Sequence, residues 1–160
     1  MKAKITFRLY SATDRRSCLD LFDANCPEYF AWNERVDYQR FLDAGSTGYE
    51  LCLIDEAIAG AFGLIGNDAS RRRLNWIMLN PKFHGVGAGR AIMERIAALA
   101  VSEGLDVVDI AASHKSAQFF AKFGAVTTTV TENGWGPGMH RVDMQLPLRP
   151  NTSLERTRDR

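Results

Sequence analysis

The stretch from Pro81 to Arg90 reads Pro-Lys-Phe-His-Gly-Val-Gly-Ala-Gly-Arg, and it constrains this chain more than any other segment. It follows an extended apolar segment at 74–79 and leads into an amphipathic pattern over 88–103 that predicts a helix. Closely spaced glycines let a backbone adopt conformations that are closed to other residues and approach a ligand closely. The N–H groups and the dipole of a helix start add partial positive charge. A strand, a glycine turn and a helix N-terminus together predict a seat for a phosphate or pyrophosphate group.

The glycine run matches neither of the two most familiar nucleotide-binding motifs. A P-loop needs Lys and then Ser or Thr after its last glycine, whereas Arg90 and Ala91 follow Gly89 here. A dinucleotide-binding fingerprint needs Gly-x-Gly-x-x-Gly or Ala, and its last position would be Arg90 or Ile92 in this chain. The run therefore indicates a nucleotide-like anion that is held by a different kind of loop.

Two motifs carry a resemblance to a known family. The run His84-Gly-Val-Gly-Ala-Gly89, after the strand end at 77–81, resembles the Gln/Arg-x-x-Gly-x-Gly/Ala pyrophosphate loop of the GNAT N-acetyltransferase superfamily. Residues 113–125 are similar to that family's Asn-x-x-Ala-x-x-Phe-Tyr-x-Lys-x-Gly-Phe helix. The motifs stand in the family's order with one predicted strand between them. The resemblance covers roughly residues 3–147 and implies acetyl-CoA as co-substrate, with direct acetyl transfer to a primary amine.

The resemblance also implies the fold, an α/β protein with a GNAT-type mixed, largely antiparallel central sheet of about seven strands and about four flanking helices. Hydrophobic periodicity predicts elements in a compatible order. The predicted strands lie near 5–10, 51–55, 58–65, 74–79, 107–112, 126–131 and 141–146, and the predicted helices near 14–25, 37–44, 88–103 and 114–123. We expect one domain over residues 1–147 and a polar tail over 148–160.

The composition describes an ordinary globular protein, with 46% hydrophobic and 24% charged residues among 160. A formal net charge of +1 argues against a nucleic-acid partner. The three cysteines are odd in number and lack metal-ligand spacing, so we expect reduced thiols and no metal site. The sequence shows neither a signal peptide nor a membrane-spanning apolar run, so we expect a soluble, cytoplasmic protein without a membrane partner.

The resemblance implies which residues bind acetyl-CoA. In the family, a backbone N–H of the fourth strand, here near Met78 or Leu79, donates to the thioester oxygen as negative charge develops there. One such donor contributes about 3 to 4 kcal/mol to catalysis. The implied cofactor-binding residues are Met78, Leu79, His84, Gly85, Val86, Gly87, Ala88, Gly89, Arg90, Ser113, Ser116 and Phe120.

Two positions depart from the family pattern at the reacting centre. Phe120 replaces the tyrosine that often donates a proton to the departing thiolate, and a phenyl ring has no proton to donate. Asn75 stands where many relatives carry a strand glutamate, and an amide cannot take a proton from an amine. General acid or base help is worth roughly 10²- to 10⁴-fold. The sequence therefore leaves both the acid and the base unassigned.

The aromatic loop before the second predicted helix is the expected acceptor side. Glu28 and Glu34 are candidates to position or deprotonate an amine, although solvated loop carboxylates are the simpler interpretation and a water chain is the default base. The aromatic residues that could line an acceptor pocket are Tyr29, Phe30, Trp32 and Trp135. Aromatic residues are more often core or loop anchors, and Trp76 is interpreted as core. The arginines at 71–73 are interpreted as an exposed turn.

The sequence leaves three functions open. The first is an acetyl-CoA-dependent N-acetyltransferase that acts on a small-molecule or peptide amine. The second is a non-catalytic acyl-CoA-binding or regulatory module with a degenerate site, which Phe120 favours. The third is a nucleotide-binding protein that prefers ATP or NAD to CoA. The resemblance also allows a homodimer, because members of the family often pair through their late strands.

Overall fold

A seven-stranded sheet forms the centre of the molecule, which a computed structural model describes for residues 3–45 and 48–148. The strands are β1 Ile5–Leu9, β2 Tyr49–Ile54, β3 Ala57–Ile65, β4 Arg71–Leu79, β5 Val107–Ser113, β6 Val126–Gly136 and β7 Met139–Pro147. The α-helices in these ranges are α1 Arg15–Ala24, α2 Arg35–Asp43, α3 Ala88–Glu103 and α4 Ala117–Ala121. The strand order is β1-β2-β3-β4-β5-β7-β6, and β4–β5 is the parallel pair. The predicted mixed, largely antiparallel sheet is confirmed.

Several predicted boundaries shift. Helix α3 coincides with the predicted range, because Gly87 and Gly104 in left-handed conformation delimit it. Helix α4 is shorter than the predicted 114–123, since residues 114–116 form a turn. The last hairpin is longer than predicted and closes at residues 137–138. Most of the predicted tail, 149–160, lies outside the described residues, and the domain boundary stays a prediction.

The interpretation of residues 71–73 as an exposed turn is wrong. These residues form the first part of β4, because pairing with β5 extends the strand to Arg71. The Arg71 guanidinium donates two hydrogen bonds to Asp109 on β5, at 2.6 and 2.8 Å. The Arg72 guanidinium lies 3.7 Å from the Glu103 carboxylate at the end of α3. The arginines therefore fasten the parallel end of the sheet.

Helices cover both faces of the sheet. On one face, Ile92, Met93 and Ile96 of α3 pack into the largest core cluster, with Leu74 and Val108 of the sheet. On the other face, the helices α1 and α2 pack against β2, β3 and β4. The main contributors there are Leu19, Phe22, Tyr38, Leu42, Leu51, Ala61 and Met78. Burial of each large aliphatic side chain contributes about 1.5 to 3 kcal/mol, so these two layers fix the position of the sheet.

A bulge in β4 decides how the two layers share this strand. Ala61 of β3 lies opposite Met78 and Gly63 lies opposite Asn75, so β4 holds one residue more than β3 in this interval. Trp76 lies in the bulge with a φ of 47°, which is unusual for a residue with a side chain. The extra residue inverts the alternation of faces, so that Leu74 packs on the α3 side and Met78 on the α1–α2 side.

Two buried hydroxyls support the bulge. The Tyr49 hydroxyl donates to the Trp76 carbonyl oxygen at 2.8 Å. The Tyr38 and Tyr49 hydroxyl oxygens lie 2.9 Å apart and share a further hydrogen bond. These bonds satisfy polar groups in the α1–α2 core, where an unpaired group would be costly. None of the helices in 3–45 and 48–148 has the length and hydrophobicity that a membrane span requires.

Candidate active site

The strands β4 and β5 separate and open a cleft. Their parallel pairing ends at Leu74 and Ile110, although β4 continues to Leu79 and β5 to Ser113. The cleft between them has a volume of about 550 Å³. Because the two strands no longer pair here, the backbone of β4 on this side is available to a ligand.

The β3–β4 ladder indicates which backbone donors face the cleft. The Asn80 N–H donates to the Ala59 carbonyl oxygen at 2.7 Å, and Leu79 lies opposite Gly60. Successive N–H groups along an antiparallel strand point to opposite sides. The Met78 amide therefore points toward β3, whereas the Leu79 amide points toward β5 and the cleft. Both residues line the cleft, and Leu79 is the one whose N–H faces it.

The three glycines of the loop do different work. Gly85 and Gly87 have φ values of 79° and 89°, which only glycine adopts readily. A Cβ atom at either position would meet no atom within 4 Å, so the space beside them is open to a ligand. A Cβ at Gly89 would lie 3.1 Å from the Phe119 ring of α4. Gly89 therefore permits close packing of two helices, a role that the sequence analysis did not assign to it.

The N-terminus of α3 points donors toward the same place. The Ala91 N–H donates to the Gly87 carbonyl oxygen, which leaves the amides of residues 88–90 without an acceptor inside the helix. The predicted loop residues that line the cleft are His84, Gly85, Gly87, Gly89 and Arg90. Val86 is 54% exposed and outside the lining, and Ala88 is buried against Ile54 and Ala59. Neither side chain faces the cleft, because the left-handed turns at Gly85 and Gly87 direct Val86 toward solvent and Ala88 toward the core.

The second motif closes the cleft from the β5 side. Ser113, Ser116 and Phe120 all line it, as does Phe119. The two serine hydroxyls lie 3.1 Å apart, and the Ser116 N–H donates to the Ser113 hydroxyl at 3.2 Å. These bonds hold the turn between β5 and α4. Phe120 is 4% exposed, so its ring is a fixed apolar wall.

Aromatic side chains form a further wall of the cleft, which begins beside the glycine loop, where the Tyr29 ring centroid lies 6.0 Å from that of His84. Tyr29, Phe30, Trp76 and Trp135 line it, and the Phe30 ring stacks on Trp76 at 6.1 Å between centroids. The structure thus brings together three of the four predicted acceptor aromatics and adds Trp76, which borders both core and cleft. Trp32 does not line the cleft, because it begins a one-turn 3₁₀ helix and is 54% exposed.

Trp135 ties the β6–β7 hairpin to the rest of this wall. Its indole N–H donates to the Ala112 carbonyl oxygen at 2.9 Å. Its carbonyl oxygen accepts a hydrogen bond from the Asn33 side-chain amide, also at 2.9 Å. The Arg141 guanidinium lies over the indole ring, 4.9 Å from its centroid. The hairpin and the loop before α2 therefore meet at Trp135.

The two candidate carboxylates have different surroundings. Glu28 is largely exposed and lies 3.7 Å from the Lys115 ammonium, outside the cleft lining. Glu34 is 7% exposed, lines the cleft and accepts a hydrogen bond from the Ala31 N–H at 2.8 Å. Burial raises the pKa of Glu34 to about 7, and the charge of Asp37 adds to the effect. The solvated interpretation is therefore wrong for Glu34, because its carboxylate turns back to the Ala31 N–H and is buried in the cleft lining.

Several residues of the cleft have no signal in the sequence. Among the described residues, Asn25, Arg73, Ile77 and Arg141 line it without having been predicted. Their spacing carries no motif, since they come from separate elements. Ala31 stands where a capping box has Ser or Thr, so the sequence pattern gave no sign of the bond from the Ala31 N–H to Glu34. Three or more His, Cys, Asp or Glu side chains nowhere converge as a metal site in the described ranges.

Comparison with known proteins adds a family match. The acetyltransferase (GNAT) family model matches residues 16–125. No curated protein sequence matches the chain.

Solved structures of several acetyltransferases share the fold at low identity. The ribosomal-protein-S18-alanine N-acetyltransferase of Escherichia coli has a TM-score of 0.73 at 17% identity, with 91% of this chain and 94% of that chain covered. The yncA protein of Salmonella typhimurium, solved with its cofactor acetyl-CoA, has a TM-score of 0.68 at 14% identity, with 91% and 94% covered. N-acetylglutamate synthase of Neisseria gonorrhoeae, in complex with coenzyme A and N-acetyl-glutamate, has a TM-score of 0.72 at 14% identity. That match covers 93% of this chain and 36% of the synthase.

Proposed function

The chain belongs to the GNAT acetyltransferase family, and we propose that it transfers the acetyl group of acetyl-CoA directly to a primary amine. The observation that carries this proposal is the cleft between β4 and β5. Its lining combines the glycine loop and the start of α3, which we call the cofactor end, with the aromatic wall, which we call the acceptor end. The Tyr29 ring, 6.0 Å from that of His84, lies where the two meet. A cleft of this form can hold an anionic cofactor and a second substrate side by side.

The residues of the loop fit the phosphates of acetyl-CoA. Gly85 and Gly87 leave open space beside the backbone, and the amides of 88–90 are free to donate. Arg90 lines the same cleft and adds positive charge, and Lys115 lines it as well, although its ammonium lies 3.7 Å from the Glu28 carboxylate. These groups would hold the pyrophosphate, and the cofactor supplies an activated acyl carbon when it is bound.

Leu79 and Phe120 shape the proposed reaction. The Leu79 N–H faces the cleft and would donate to the thioester oxygen as negative charge develops, for about 3 to 4 kcal/mol of stabilisation. Phe120 offers only an apolar wall, so water is the proton source for the departing thiolate. A thiol has a pKa near 8.5, which makes the thiolate a tolerable leaving group without a dedicated acid.

The acceptor is an amine carried by a small molecule or a peptide. The aromatic wall and Glu34 suit a cationic group, because aromatic faces and a carboxylate both attract it. A homodimer and a cytoplasmic location stay predictions from the sequence.

Calorimetric titration with acetyl-CoA, CoA, ATP and NAD is the first test. Micromolar binding restricted to the CoA species is the expected result, because the loop departs from both nucleotide motifs. Tighter binding of ATP or NAD would overturn the cofactor assignment and favour a nucleotide-binding protein.

A screen for acetylated amines is the second test. Wild type and Phe120→Tyr are incubated with acetyl-CoA and a panel of amino acids, spermidine, 2-phenylethylamine, tryptamine and short peptides with free N-termini, and products are detected by mass spectrometry. Formation of an acetylated amine, with release of free CoA, is the expected result. Binding of acetyl-CoA without any product from either protein would contradict catalysis and favour a non-catalytic module.

A further inference from the structure

The described residues include three carboxylates that are buried to 7% exposure, Asp14, Glu34 and Glu50. Asp14 accepts two hydrogen bonds from Arg8, at 2.8 and 2.9 Å. Glu50 accepts two from Arg95, at 2.9 and 3.1 Å. No arginine or lysine among the described residues pairs with Glu34 in this way, since it lies in no ion pair. An ionised carboxylate that is buried without a cation lowers the stability of the folded state. Its presence in the cleft therefore suggests a role other than stability.

The hydrogen bond from the Ala31 N–H does not explain why Glu34 is buried. It caps the short turn at 32–34 in the manner of a capping box, in which a glutamate at the third position reaches back to the chain before the turn. Such a cap works equally well on an exposed side chain or with a glutamine. It uses Oε2 and leaves Oε1 without a donor among the described residues.

Glu34 is also the one acidic side chain in the cleft lining, within the described residues. The ionisable groups that line the cleft with it are Tyr29, Arg73, His84, Arg90, Lys115 and Arg141. The aromatic rings of Phe30, Trp76 and Trp135 line the same end. The Arg141 guanidinium covers the Trp135 ring, and its charge is paired with Asp143 at 3.0 Å. A protonated amine at this end therefore has the Phe30 and Trp76 rings, which attract cations, and a single carboxylate to contact.

We propose that Glu34 binds the ammonium group of the acceptor and takes its proton before acetyl transfer. This inference rests on the proposed amine acetylation and assigns the base that Asn75 cannot provide. One proton passes from the ammonium nitrogen to a Glu34 carboxylate oxygen. The freed nitrogen lone pair then attacks the thioester carbonyl carbon, a C–N bond forms and the C–S bond breaks. The second proton of the nitrogen leaves through water to the thiolate, and Glu34 releases its proton to solvent.

The charges around Glu34 suit a base that works near neutral pH. Burial, the largest cause, and the negative charge of Asp37 raise the pKa of Glu34, and the Ala31 N–H opposes them. The Cys26 thiol, in the loop after α1, lies close enough for the charge of Glu34 to raise its pKa. Arg35, the residue after Glu34, is paired with Asp23. At pH 8 the group is mostly ionised and is a stronger base than an ordinary carboxylate.

Glu34→Gln is the decisive variant, because glutamine keeps the volume and the cap acceptor and loses the base. With the best acceptor from the screen, kcat should fall by roughly 10²- to 10⁴-fold, while the Kd for acetyl-CoA stays unchanged. The wild-type pH profile of kcat should decline on the acidic side near pH 7, and this decline should be absent in the variant. Glu34→Asp should retain the acidic decline at a lower rate. Glu94→Gln, which removes an exposed carboxylate of α3 outside the cleft, is the matched control.

Equal kcat and the same acidic decline in Glu34→Gln would overturn the proposal and leave amine acetylation intact. If wild type acetylates none of the panel, the proposed function itself has failed, and two readouts still decide the role of Glu34. The first is carbon-13 NMR titration of the glutamate carboxylates, where a signal that is missing in Glu34→Gln should titrate near pH 7. The second is calorimetry, where 2-phenylethylamine should bind more tightly than 2-phenylethanol only when Glu34 is present. Titration below pH 5, or equal binding of both probes, would overturn the proposal.

Discussion

The cofactor end of the cleft is formed mainly by backbone groups, whereas the acceptor end is formed by side chains. The cofactor end is made largely of backbone, in the Leu79 amide, the left-handed Gly85 and Gly87, and the amides that open α3. These backbone groups all lie within residues 79–90. The acceptor end is made of side chains that come from the loop before α2, the bulge of β4 and the β6–β7 hairpin. A backbone site is encoded locally, whereas a side-chain site depends on segments that meet only in the folded chain.

The comparison explains which departures from the family pattern matter. His84 and Ser113 differ from the usual residues, yet the amides of the loop are unaffected by those side chains. Asn75 and Phe120 differ where a side chain would have to donate or accept a proton, and there the substitution removes the chemistry. This chain therefore differs from the family pattern in the residues that transfer protons. We propose that Glu34 serves as the base in place of the strand glutamate.

Gly87→Val should break the cofactor end with the largest effect. A β-branched residue cannot adopt a φ of 89° without strain, so the loop should move and lose its amide donors. Loss of two charge-assisted hydrogen bonds, at about 2 kcal/mol each, weakens acetyl-CoA binding by about 1000-fold. Calorimetry measures this change.

Gly45→Val is the matched control for that prediction. Gly45 has a φ of 93° and lies outside the cleft lining, and a Cβ atom added to it would meet no atom within 4 Å. The variant should lose comparable stability and keep its affinity for acetyl-CoA. An unchanged affinity in Gly87→Val would show that the loop does not seat the phosphates.

Glu34→Gln, a change at the acceptor end, should stabilise the protein at high pH. The folded-state pKa of about 7 lies above the ordinary value of 4.5, so folding favours the protonated form. This contribution is fully present below pH 4.5 and is lost as the pH rises through 7, at a cost of up to about 3 kcal/mol. Urea denaturation at pH 8 should show a more stable variant, and at pH 4.5 the difference should vanish. A less stable variant at pH 8 would mean that Glu34 serves the fold.

Tyr49→Phe should affect both ends, because the bulge at Trp76 is common to them. The change removes the hydroxyl that donates to the Trp76 carbonyl oxygen and leaves that partly buried oxygen without this donor. We expect a loss of about 1 to 2 kcal/mol in the free energy of unfolding, with weaker acetyl-CoA binding. Tyr38→Phe keeps the bond to Trp76 and should cost less. Equal effects of the two variants would contradict a specific role for the Tyr49 bond.

Asn33→Ala should give the smallest effect and only at the acceptor end. It removes the partly solvated hydrogen bond to the Trp135 carbonyl oxygen, a loss of about 0.5 to 1 kcal/mol. The KM for the best acceptor should rise by about two- to fivefold, with an unchanged Kd for acetyl-CoA. Asn67→Ala, on the exposed loop after β3, is the control. A change confined to acetyl-CoA binding would show that the hairpin serves the other end.

Much of the cofactor end could be predicted from the sequence, and little of the acceptor end. Helix α3 and the glycine turn can be predicted because their conformation depends on residues that are close together in the sequence. The extension of β4 to Arg71 was missed, since the charged pattern gave no sign of the partner Asp109 on β5. The burial of Glu34 in the cleft has the same cause, because the cleft lining that it shares also comes from Trp76 on β4 and Trp135 on β6, which are distant in sequence.

The sequence by itself determined the family, the order of the elements and the phosphate-binding loop, because these depend on local backbone conformation and short-range periodicity. Only the tertiary structure decided where β4 leaves β5, which amide faces the cleft and which carboxylate lies in it. The bond between Asn33 and Trp135 joins residues that are 102 positions apart. Contacts over such separations leave no local pattern, and they form only when the whole sheet and both helical layers are in place.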